Sequence, residues 1–416
     1  MEQLFVSNIK INKVRHLNNI SIELSKQERK HLIITGKNGS GKTSLLDAIA
    51  VFLNSITNSK DPMEAMRYLE VDKKTLLRLE NQKDADMKIK ETKERISYYE
   101  KRIETSTGGV MLEMNCQLSN VLPEFKEGNL VVAYYRADRV FQAQIPRYVE
   151  KVSLKKDYTI EESPRKDFIK YLLDLKMTQA LAASNGKREK AEKIKLWFEK
   201  FQNLLKGIFE DDSVILSFDE DTFKFSILMD GREPFEFNTL SSGYAAVLDI
   251  VVDLMMRMEK HTERIFDFST QGIVLIDEIE THLHLTLQKK VLELLTTFFP
   301  NIQFIVSTHS PFILNSLENS TIYDLEKHLL VKDGLADVPY SGIVEGYFNA
   351  DAMSKVLRDK YEKYKILANK TEITEDDLEE IADLELYLNE IPDYLALNIT
   401  TEYQRLKTEL RNREDI

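Results

Sequence analysis

Apolar positions near the N-terminus follow three patterns in succession. Residues 4–24 contain two apolar runs joined by a polar turn, which predicts a pair of strands. Residues 31–35 form a short apolar run that enters a glycine-rich turn, as a buried strand does. Beyond the turn, apolar residues recur at helical spacing, namely at Leu45, Leu46, Ile49, Phe52 and Leu53. The pattern therefore predicts a strand, a loop and a helix in that order.

The same alternation returns in the second half of the chain. Apolar runs at residues 272–276 and 303–307 predict buried strands, whereas residues 244–258 and 285–299 have the spacing of helices. Strands that alternate with helices favour a mainly parallel sheet whose two faces are covered. The expected fold class is therefore α/β.

Shorter runs add antiparallel structure to this sheet. Residues 110–118 and 130–135 are strand-like, and residues 214–218 and 223–229 alternate between apolar and polar positions around an acidic turn. Two alternating runs separated by a turn are typical of a hairpin. We therefore expect a small antiparallel meander beside the parallel sheet.

Charged segments divide the chain into parts. Residues 57–107 and residues 151–209 carry thin apolar stripes among Lys, Glu and Arg, which predicts two helical insertions. The last part of the chain is acidic and also has the pattern of helices. We therefore expect a head domain over residues 1–345 and an acidic helical C-terminal region over residues 346–416.

Length and composition limit the class of protein. A chain of 416 residues exceeds the ~250 to 300 residues at which a single core stops growing, so one main domain with additions is expected. No stretch reaches the ~18 apolar residues of a membrane-spanning helix. The N-terminus also lacks a signal pattern, and we expect a cytoplasmic protein without membrane contact. The formal charge of −12 opposes non-specific binding to nucleic acid, although it leaves room for a local basic face.

A glycine-rich motif follows the first predicted buried strand. Residues 36–43 read Gly-Lys-Asn-Gly-Ser-Gly-Lys-Thr and match the P-loop pattern in its required place between a strand and a helix. Backbone N–H groups of such a loop bind phosphate oxygens, the lysine reaches the β- and γ-phosphates, and the threonine hydroxyl binds Mg2+. A structural turn is the alternative interpretation. The expected ATP-binding residues are Gly36, Asn38, Gly39, Gly41, Lys42, Thr43 and Ser44.

Two carboxylates end the strand predicted at residues 272–276. Asp277 and Glu278 follow four apolar residues, and ligands of parallel sheets bind at the carboxyl ends of strands. Asp277 is therefore expected to bind Mg2+ together with Thr43, while Glu278 orients or deprotonates the attacking water. The alternative is a pair of solvated carboxylates without a function.

Two further polar clusters stand at the ends of predicted elements. His309 follows the apolar strand at residues 303–307 and is expected to sense the γ-phosphate and to align Glu278 with the water. Ser241, Ser242 and Gly243 precede the apolar helix at residues 244–258, where serines are common as N-caps. Taken alone, His309 also fits an incidental loop histidine. The segment from Ser241 to Gly243 also fits an ordinary capped helix.

The motifs occur in the order found in ABC-type ATPases, with the P-loop first, then the signature serines, the acidic strand end and the histidine. The sequences around Glu278 and His309 resemble the branch that contains RecF, SMC and OLD proteins. The resemblance implies a P-loop NTPase fold of the ABC-ATPase head type that uses ATP and Mg2+. It also implies a homodimer, or a higher even-numbered assembly, in which the signature of one protomer contacts the ATP held by Lys42 of the other.

The resemblance suggests roles for additional residues. Residues 280–284 would form the loop that links the paired sites of the dimer. Arg15 would contact the nucleotide. Either Gln142 or Gln144 would supply the metal-contacting glutamine of the family, and the sequence leaves both open.

A narrower resemblance concerns the organisation of the chain. Short insertions, a helical C-terminal region and the sequence of residues 134–139 are similar to the stand-alone ATPase subunits of bacterial antiphage systems, in particular the Septu ATPases (PtuA), which work with an HNH nuclease. This resemblance implies a nucleotide switch that controls a partner nuclease, with DNA contacted through that partner. The alternatives are a RecF- or SMC-like repair ATPase that binds DNA in an ATP-dependent way, and a structural ATP-binding scaffold with little turnover.

The C-terminal region carries two further expectations. Residues 343–346 resemble the first strand of the Toprim nuclease domain of OLD proteins, but no later strand ends in paired aspartates, so we expect no nuclease site in this chain. Acidic residues between positions 372 and 385 predict either a solvated helix or a docking surface for a basic partner.

Overall fold

Two compact units make up the chain. The computed structural model describes residues 3–58, 62–80, 86–259, 268–338, 340–347, 355–389 and 397–412. Contacts divide the protein into Met1–Val338 and Pro339–Ile416, and each unit has a hydrophobic core of its own. Among the helices that the structure describes, none combines the length and the apolar character needed to cross a membrane.

Strands and helices alternate along the first unit, and the described part of the second unit is helical. The strands are β1 (Val6–Val14), β2 (Leu17–Glu23), β3 (His31–Thr35), β4 (Val110–Met114), β5 (Leu130–Tyr135), β6 (Ile215–Asp219), β7 (Lys224–Leu228), β8 (Gln271–Ile276), β9 (Ile302–Ser307), β10 (Ser320–Asp324) and β11 (Leu329–Val331). The helices are α1 (Lys42–Thr57), α2 (Pro62–Leu79), α3 (Asp86–Thr107), α4 (Val121–Glu127), α5 (Phe168–Ser184), α6 (Arg188–Phe209), α7 (Ser242–Met258), α8 (Leu285–Phe298), α9 (Pro311–Leu314), α10 (Tyr340–Gly342), α11 (Lys355–Ala368), α12 (Glu375–Asn389) and α13 (Leu397–Arg411).

The central sheet has six strands in the order β11-β10-β3-β9-β8-β5. All neighbours in it are parallel except β11, which pairs antiparallel with β10. Every residue of β3 and of β9 is buried, as expected for parallel strands covered on both faces. The predicted α/β fold is confirmed, and the carboxyl ends of β3, β8 and β9 meet at one edge of the sheet.

Antiparallel structure flanks the central sheet. Strands β2, β1 and β4 form a three-stranded sheet, and β6 pairs with β7 as the predicted meander. Apolar side chains of α1 share one core with residues from both larger sheets. Because α1 begins directly after the glycine-rich loop, this core fixes the loop against the edge of the central sheet.

The two predicted insertions differ in structure. Helices α2 and α3, within the first of these segments, form a pair joined by ion pairs such as Asp72 with Arg95. The second insertion is helical only from Pro164 onward, and residues 151–163 contain no regular helix or strand, so the prediction was wrong for that stretch. A helix is disfavoured at the residue that precedes Pro164. Within the irregular stretch, the Asp174 carboxylate binds the Lys151 side chain at 2.7 Å and the Val152 N–H at 3.4 Å.

Aromatic and aliphatic side chains of α11, α12 and α13 form the core of the second unit. Residues Ile343–Tyr347 form a π-helical turn and not a strand. Part of the acidic cluster is paired within the unit, since Asp377 and Glu380 form ion pairs with Lys370 and Lys363. The Lys370 ammonium and two bonds from Thr374 lower the pKa of Asp377 to about 2.

The buried His31 makes the stability of the first unit depend on pH. Its Nδ1 accepts a hydrogen bond from the Phe304 N–H at 3.1 Å, and burial lowers the pKa of His31 to about 4. The unfolded chain binds a proton near pH ~6.5, so this contribution to stability is complete above that pH and is lost as the pH falls toward 4. We expect the free energy of unfolding to decrease by about 2 kcal/mol between pH 7 and pH 5 because of this group.

Urea unfolding at pH 7 and pH 5 tests this expectation, with the fluorescence of the single tryptophan, Trp197, as the signal. His31→Asn keeps a side-chain oxygen as acceptor but removes the titrating ring, so the difference between the two pH values should shrink. The exposed His328 serves as a control, and His328→Asn should leave the difference unchanged. Equal pH dependence in wild type and His31→Asn would contradict the assignment.

Candidate functional site

The glycine-rich loop connects the buried strand β3 to α1. Gly36, Gly39 and Gly41 all have positive φ values, at 133°, 83° and 99°, which other residues adopt only with strain. A Cβ at Gly36 would lie 2.9 Å from the Ser40 hydroxyl, whereas no atom of the described residues lies within 4 Å of the place a Cβ would take at Gly39. Asn38, Gly39 and Thr43 are exposed, so the outer side of the loop is open to a ligand.

Lys42 lies along the inner side of this loop. Its Nζ donates hydrogen bonds to the carbonyls of Gly36 at 2.9 Å and Lys37 at 3.2 Å. Burial lowers the pKa of Lys42, and the carboxylates of Glu278, Glu280 and Asp277 oppose that shift. Lys42, the lysine that the P-loop pattern requires, thus lies inside the loop and faces the acidic end of β8.

Asp277 joins three segments of the chain at the end of β8. Its Oδ2 accepts a hydrogen bond from the Thr43 hydroxyl at 2.9 Å, and its Oδ1 accepts one from the Ser307 hydroxyl at 2.5 Å. The structure therefore brings together Thr43 and Asp277, the two residues expected to bind a metal. Ser307, at the end of β9, has a role that the sequence analysis did not assign.

Glu278 has an unusual backbone conformation. Its φ of 42° lies in the left-handed region, which a non-glycine residue occupies rarely. Its N–H donates to the Ser307 hydroxyl at 2.8 Å, and its carboxylate accepts a hydrogen bond from the Thr281 hydroxyl at 3.2 Å. These contacts turn the chain sharply at the end of β8 and keep the carboxylate among the charged groups near Lys42.

Arg139 holds the same turn from the side of β5. Its guanidinium donates to the carbonyls of Asp277 at 2.8 Å, Glu278 at 3.1 Å and Ile279 at 2.8 Å, and also to its own segment at Arg136. Only 5% of Arg139 is exposed. The sequence analysis did not identify Arg139 as part of the site, because its partners are backbone carbonyls of a distant segment. Such contacts leave no pattern in the sequence.

His309 stands in the loop that follows β9. Its N–H donates to the Glu280 carboxylate at 2.5 Å, which ties the loop to the turn after Glu278. Burial and the charge of Lys42 lower the pKa of His309, against the opposing effect of three nearby carboxylates. The imidazole is therefore neutral at neutral pH and offers one N–H donor and one acceptor nitrogen.

The predicted signature residues lie at the start of α7. Ser241 and Ser242 are exposed, and the Ser241 side chain makes no capping hydrogen bond. A Cβ at Gly243 would lie 3.0 Å from the His282 carbonyl, so this end of α7 packs on the loop at residues 280–284. Within the described part of the chain, no hydrogen bond joins residues 241–243 to the P-loop of the same protomer.

The two candidate glutamines flank a residue that is tied to the signature segment. Gln142 and Gln144 are exposed, and the backbone of Ala143 between them exchanges two hydrogen bonds with the Asn238 side chain, at 3.0 and 2.9 Å. Neither contact distinguishes Gln142 from Gln144 as the family glutamine. The segment after β5 and the segment before Ser241 are thereby held together.

Arg15 lies at the turn between β1 and β2. It is exposed and has a φ of 53°. The neighbouring His16 places its Nε2 3.1 Å from the Ser40 carbonyl, so this turn rests on the P-loop. His16 is a second contact that sequence reasoning missed.

Two family models match this chain. One, described as "AAA ATPase domain", matches residues 5–204, and the other, described as "AAA domain, putative AbiEii toxin, Type IV TA system", matches residues 159–315. The first match includes the P-loop, and the second includes the signature segment, Asp277, Glu278 and His309. The chain is thus similar to ATPase domains across the whole candidate site.

The curated relatives include a Septu protein and two retron ATPases. The chain is 24% identical to the Septu protein PtuA of Bacillus mycoides (strain KBAB4), a match that covers 76% of this chain and 40% of the relative. It is 25% identical to the Retron Vc95 probable ATPase of Vibrio cholerae serotype O1 biovar El Tor, over 72% of this chain and 70% of that protein. Its identity to the Retron Ec83 probable ATPase of Escherichia coli is 29%, over 46% of this chain and 39% of the relative.

These similarities confirm the predicted resemblance to the Septu ATPases. The matched region spans less than half of the length of two of these relatives. The matched part of the chain is therefore similar to Septu and retron ATPases.

Proposed function

We propose that this chain binds and hydrolyses Mg-ATP at a composite site in a head-to-head dimer. The observation that carries the proposal is the 2.9 Å hydrogen bond between the Thr43 hydroxyl and the Asp277 carboxylate, which joins residues 234 positions apart. Two oxygen ligands suited to Mg2+ therefore lie side by side, among the charges of Lys42 and Glu278.

The residues present fit Mg-ATP. The backbone around Gly39 is exposed and unobstructed, so its N–H groups can approach phosphate oxygens. Mg2+ in nucleotide sites takes few protein ligands and completes its shell with phosphate oxygens and water, and Thr43 with Asp277 supplies such a set. Bound there, Mg2+ would neutralise charge on the β- and γ-phosphates.

Glu278 and His309 are assigned to the water that attacks the γ-phosphate. The Glu278 carboxylate would orient this water or accept its proton. The neutral His309 can donate one hydrogen bond and accept another, so it can hold the water and the carboxylate in line. Lys42 would leave the carbonyls of its own loop to contact the phosphates.

The dimer is inferred from the exposed signature. The hydroxyls of Ser241 and Ser242 and the N-terminus of α7 face outward and form no hydrogen bond to the P-loop of their own chain. Hydroxyls and a helix N-terminus are suited to phosphate oxygens. We therefore assign Ser241, Ser242 and Gly243 to the ATP bound by a second protomer.

We further propose that this ATPase is a switch that controls a partner nuclease of HNH type in antiphage defence. The support is the similarity to a Septu protein and to a retron ATPase, which covers 76% and 72% of this chain. The net charge of −12 fits a protein that reaches DNA through such a partner.

Two measurements test the proposed function. Purified protein should release phosphate from ATP in a Mg2+-dependent way, and Lys42→Ala should abolish that release. Affinity purification with the products of neighbouring genes in Mg-ATP should recover a stoichiometric nuclease. Bound DNA without any protein partner would instead favour a repair-type ATPase.

Mixing two inactive variants tests whether the signature acts on the other protomer. Lys42→Ala removes the phosphate-binding amine, and Ser241→Arg places a long cation at an exposed position of the signature. Each variant alone should be inactive. An equal mixture should regain roughly a quarter of wild-type activity, since half of the dimers are mixed and one of their two sites is intact.

The two proteins are mixed under conditions in which protomers exchange, and phosphate release is followed over time. The exposed Ser269, changed to arginine, provides a control that should stay active without mixing. A mixture as inactive as its components would exclude sites that are shared between protomers.

A further inference from the structure

Arg139 is a buried cation outside the residues that the ATPase motifs account for. We propose that Arg139 is a positioning residue for ATP hydrolysis, whose guanidinium fixes the backbone of residues 277–279 and thereby aims the Glu278 carboxylate at the attacking water. This inference rests on the ATPase function proposed above. It assigns to Arg139 a role through Glu278 and no contact with the nucleotide itself.

The turn that carries Glu278 needs an external support. A positive φ at a glutamate persists only where the surroundings enforce it. Ser307 holds the N–H of Glu278 at 2.8 Å, and Arg139 holds its carbonyl at 3.1 Å. The peptide groups on both sides of the Glu278 Cα are therefore fixed by side chains from the end of β9 and from the loop after β5.

The geometry of these contacts requires an arginine. A guanidinium is a planar fork of donors, and here its two terminal nitrogens reach the carbonyls of three successive residues. A lysine carries a single point of contact and can satisfy only part of this set. Loss of the fork would let the turn relax and would displace the Glu278 carboxylate without removing it.

Asp249 on α7 contributes a negative charge that favours the protonated guanidinium of Arg139. Burial lowers the pKa of Arg139, and Asp249 is the foremost of the charges that counteract this effect. Asp249 is completely buried and lies on the helix that begins at the signature segment.

Arg139→Lys tests the proposal, and Arg136→Lys is the matched control. Arg136 lies three residues earlier, and 60% of its side chain is exposed in a surface pair with Asp47. For Arg139→Lys we expect kcat to fall by roughly 10- to 100-fold, as for a misplaced catalytic group. KM for ATP and ATP affinity should stay within about twofold of wild type, and the control should match wild type in all three.

A second comparison asks whether Arg139 acts through Glu278. In a Glu278→Gln background, Arg139→Lys should cause no further loss of single-turnover hydrolysis, because the group that it positions is already gone. An additional 10- to 100-fold loss would show an independent role and would overturn the proposal.

Other outcomes separate this inference from the proposed function. A wild-type protein without Mg2+-dependent hydrolysis would refute the ATPase assignment and the role of Arg139 with it. An active wild type with an equally active Arg139→Lys variant would refute the positioning role alone. A variant whose melting temperature and ATP affinity fall together with kcat would show that Arg139 only stabilises the fold.

Discussion

Glu278→Gln is expected to lower the rate of ATP hydrolysis by roughly 10²- to 10³-fold while ATP binding is retained. The amide keeps the size of the side chain and can still accept a hydrogen bond from Thr281, but it cannot take a proton from the attacking water. The contacts of the Glu278 backbone with Ser307 and Arg139 do not involve the side chain, so the fold should not change. Because ATP would remain bound at the shared sites of the proposed dimer, the variant should accumulate as that dimer.

Single-turnover hydrolysis of labelled ATP and native mass spectrometry measure these two effects. Glu293→Gln, the same chemical change at an exposed position of α8, should behave as wild type in both. Hydrolysis by Glu278→Gln at the wild-type rate would show that another group activates the water. Loss of ATP binding together with hydrolysis would show that Glu278 serves the fold of the site.

Arg257→Met is expected to reduce the free energy of unfolding by about 3–5 kcal/mol, because it breaks a buried ion pair from one side. The guanidinium of Arg257 pairs with Asp253 at 2.7 Å and donates to the carbonyls of Val132 and Thr159 at 3.1 and 3.0 Å. Asp253 is fully buried, and among the described residues its carboxylate would keep only Tyr135 and Arg165 as partners.

Urea unfolding followed by Trp197 fluorescence measures this loss, because Trp197 is buried and donates to Glu259 at the end of α7. Arg95→Met is the control, since Arg95 forms a two-point pair with Asp72 but half of its side chain is exposed. The control should cost far less, because solvent screens an exposed pair. If both variants lost a similar free energy of unfolding, burial would not determine how much the Arg257 ion pair stabilises the fold.

The sequence predicted those buried strands that have a continuous apolar run. Strands β3, β8 and β9 appear as continuous apolar runs because helices cover both sides of the central sheet. Strand β10 was missed, since Ser320 to Asp324 contains a single aliphatic residue although all five positions are buried. Its terminal polar side chains bond to nearby backbone groups, Ser320 to Leu317 and Asp324 to Glu326. Local hydrogen bonds of this kind do not alter the hydrophobic pattern.

The sequence predicted those residues of the candidate site that belong to contiguous motifs. The P-loop, Asp277 and His309 are each preceded by an apolar strand, so the pattern gave both their identity and their place. Ser307 and Arg139 act through contacts with segments 30 and 138 positions away, and they form no motif of their own. The irregular stretch at residues 151–163 was interpreted as helix because its charges resemble a helix surface, while its backbone is held by Asp174.

The left-handed turn at Glu278 serves the proposed catalysis but lowers the stability of the fold. A positive φ at a residue with a Cβ costs on the order of 1–2 kcal/mol, and glycine or asparagine would occupy the same backbone conformation with less strain. Directed evolution of this chain for heat resistance alone would therefore tend to replace Glu278 by one of these residues. Such a screen would yield more heat-resistant proteins that no longer hydrolyse ATP, unless ATP hydrolysis were selected in the same round.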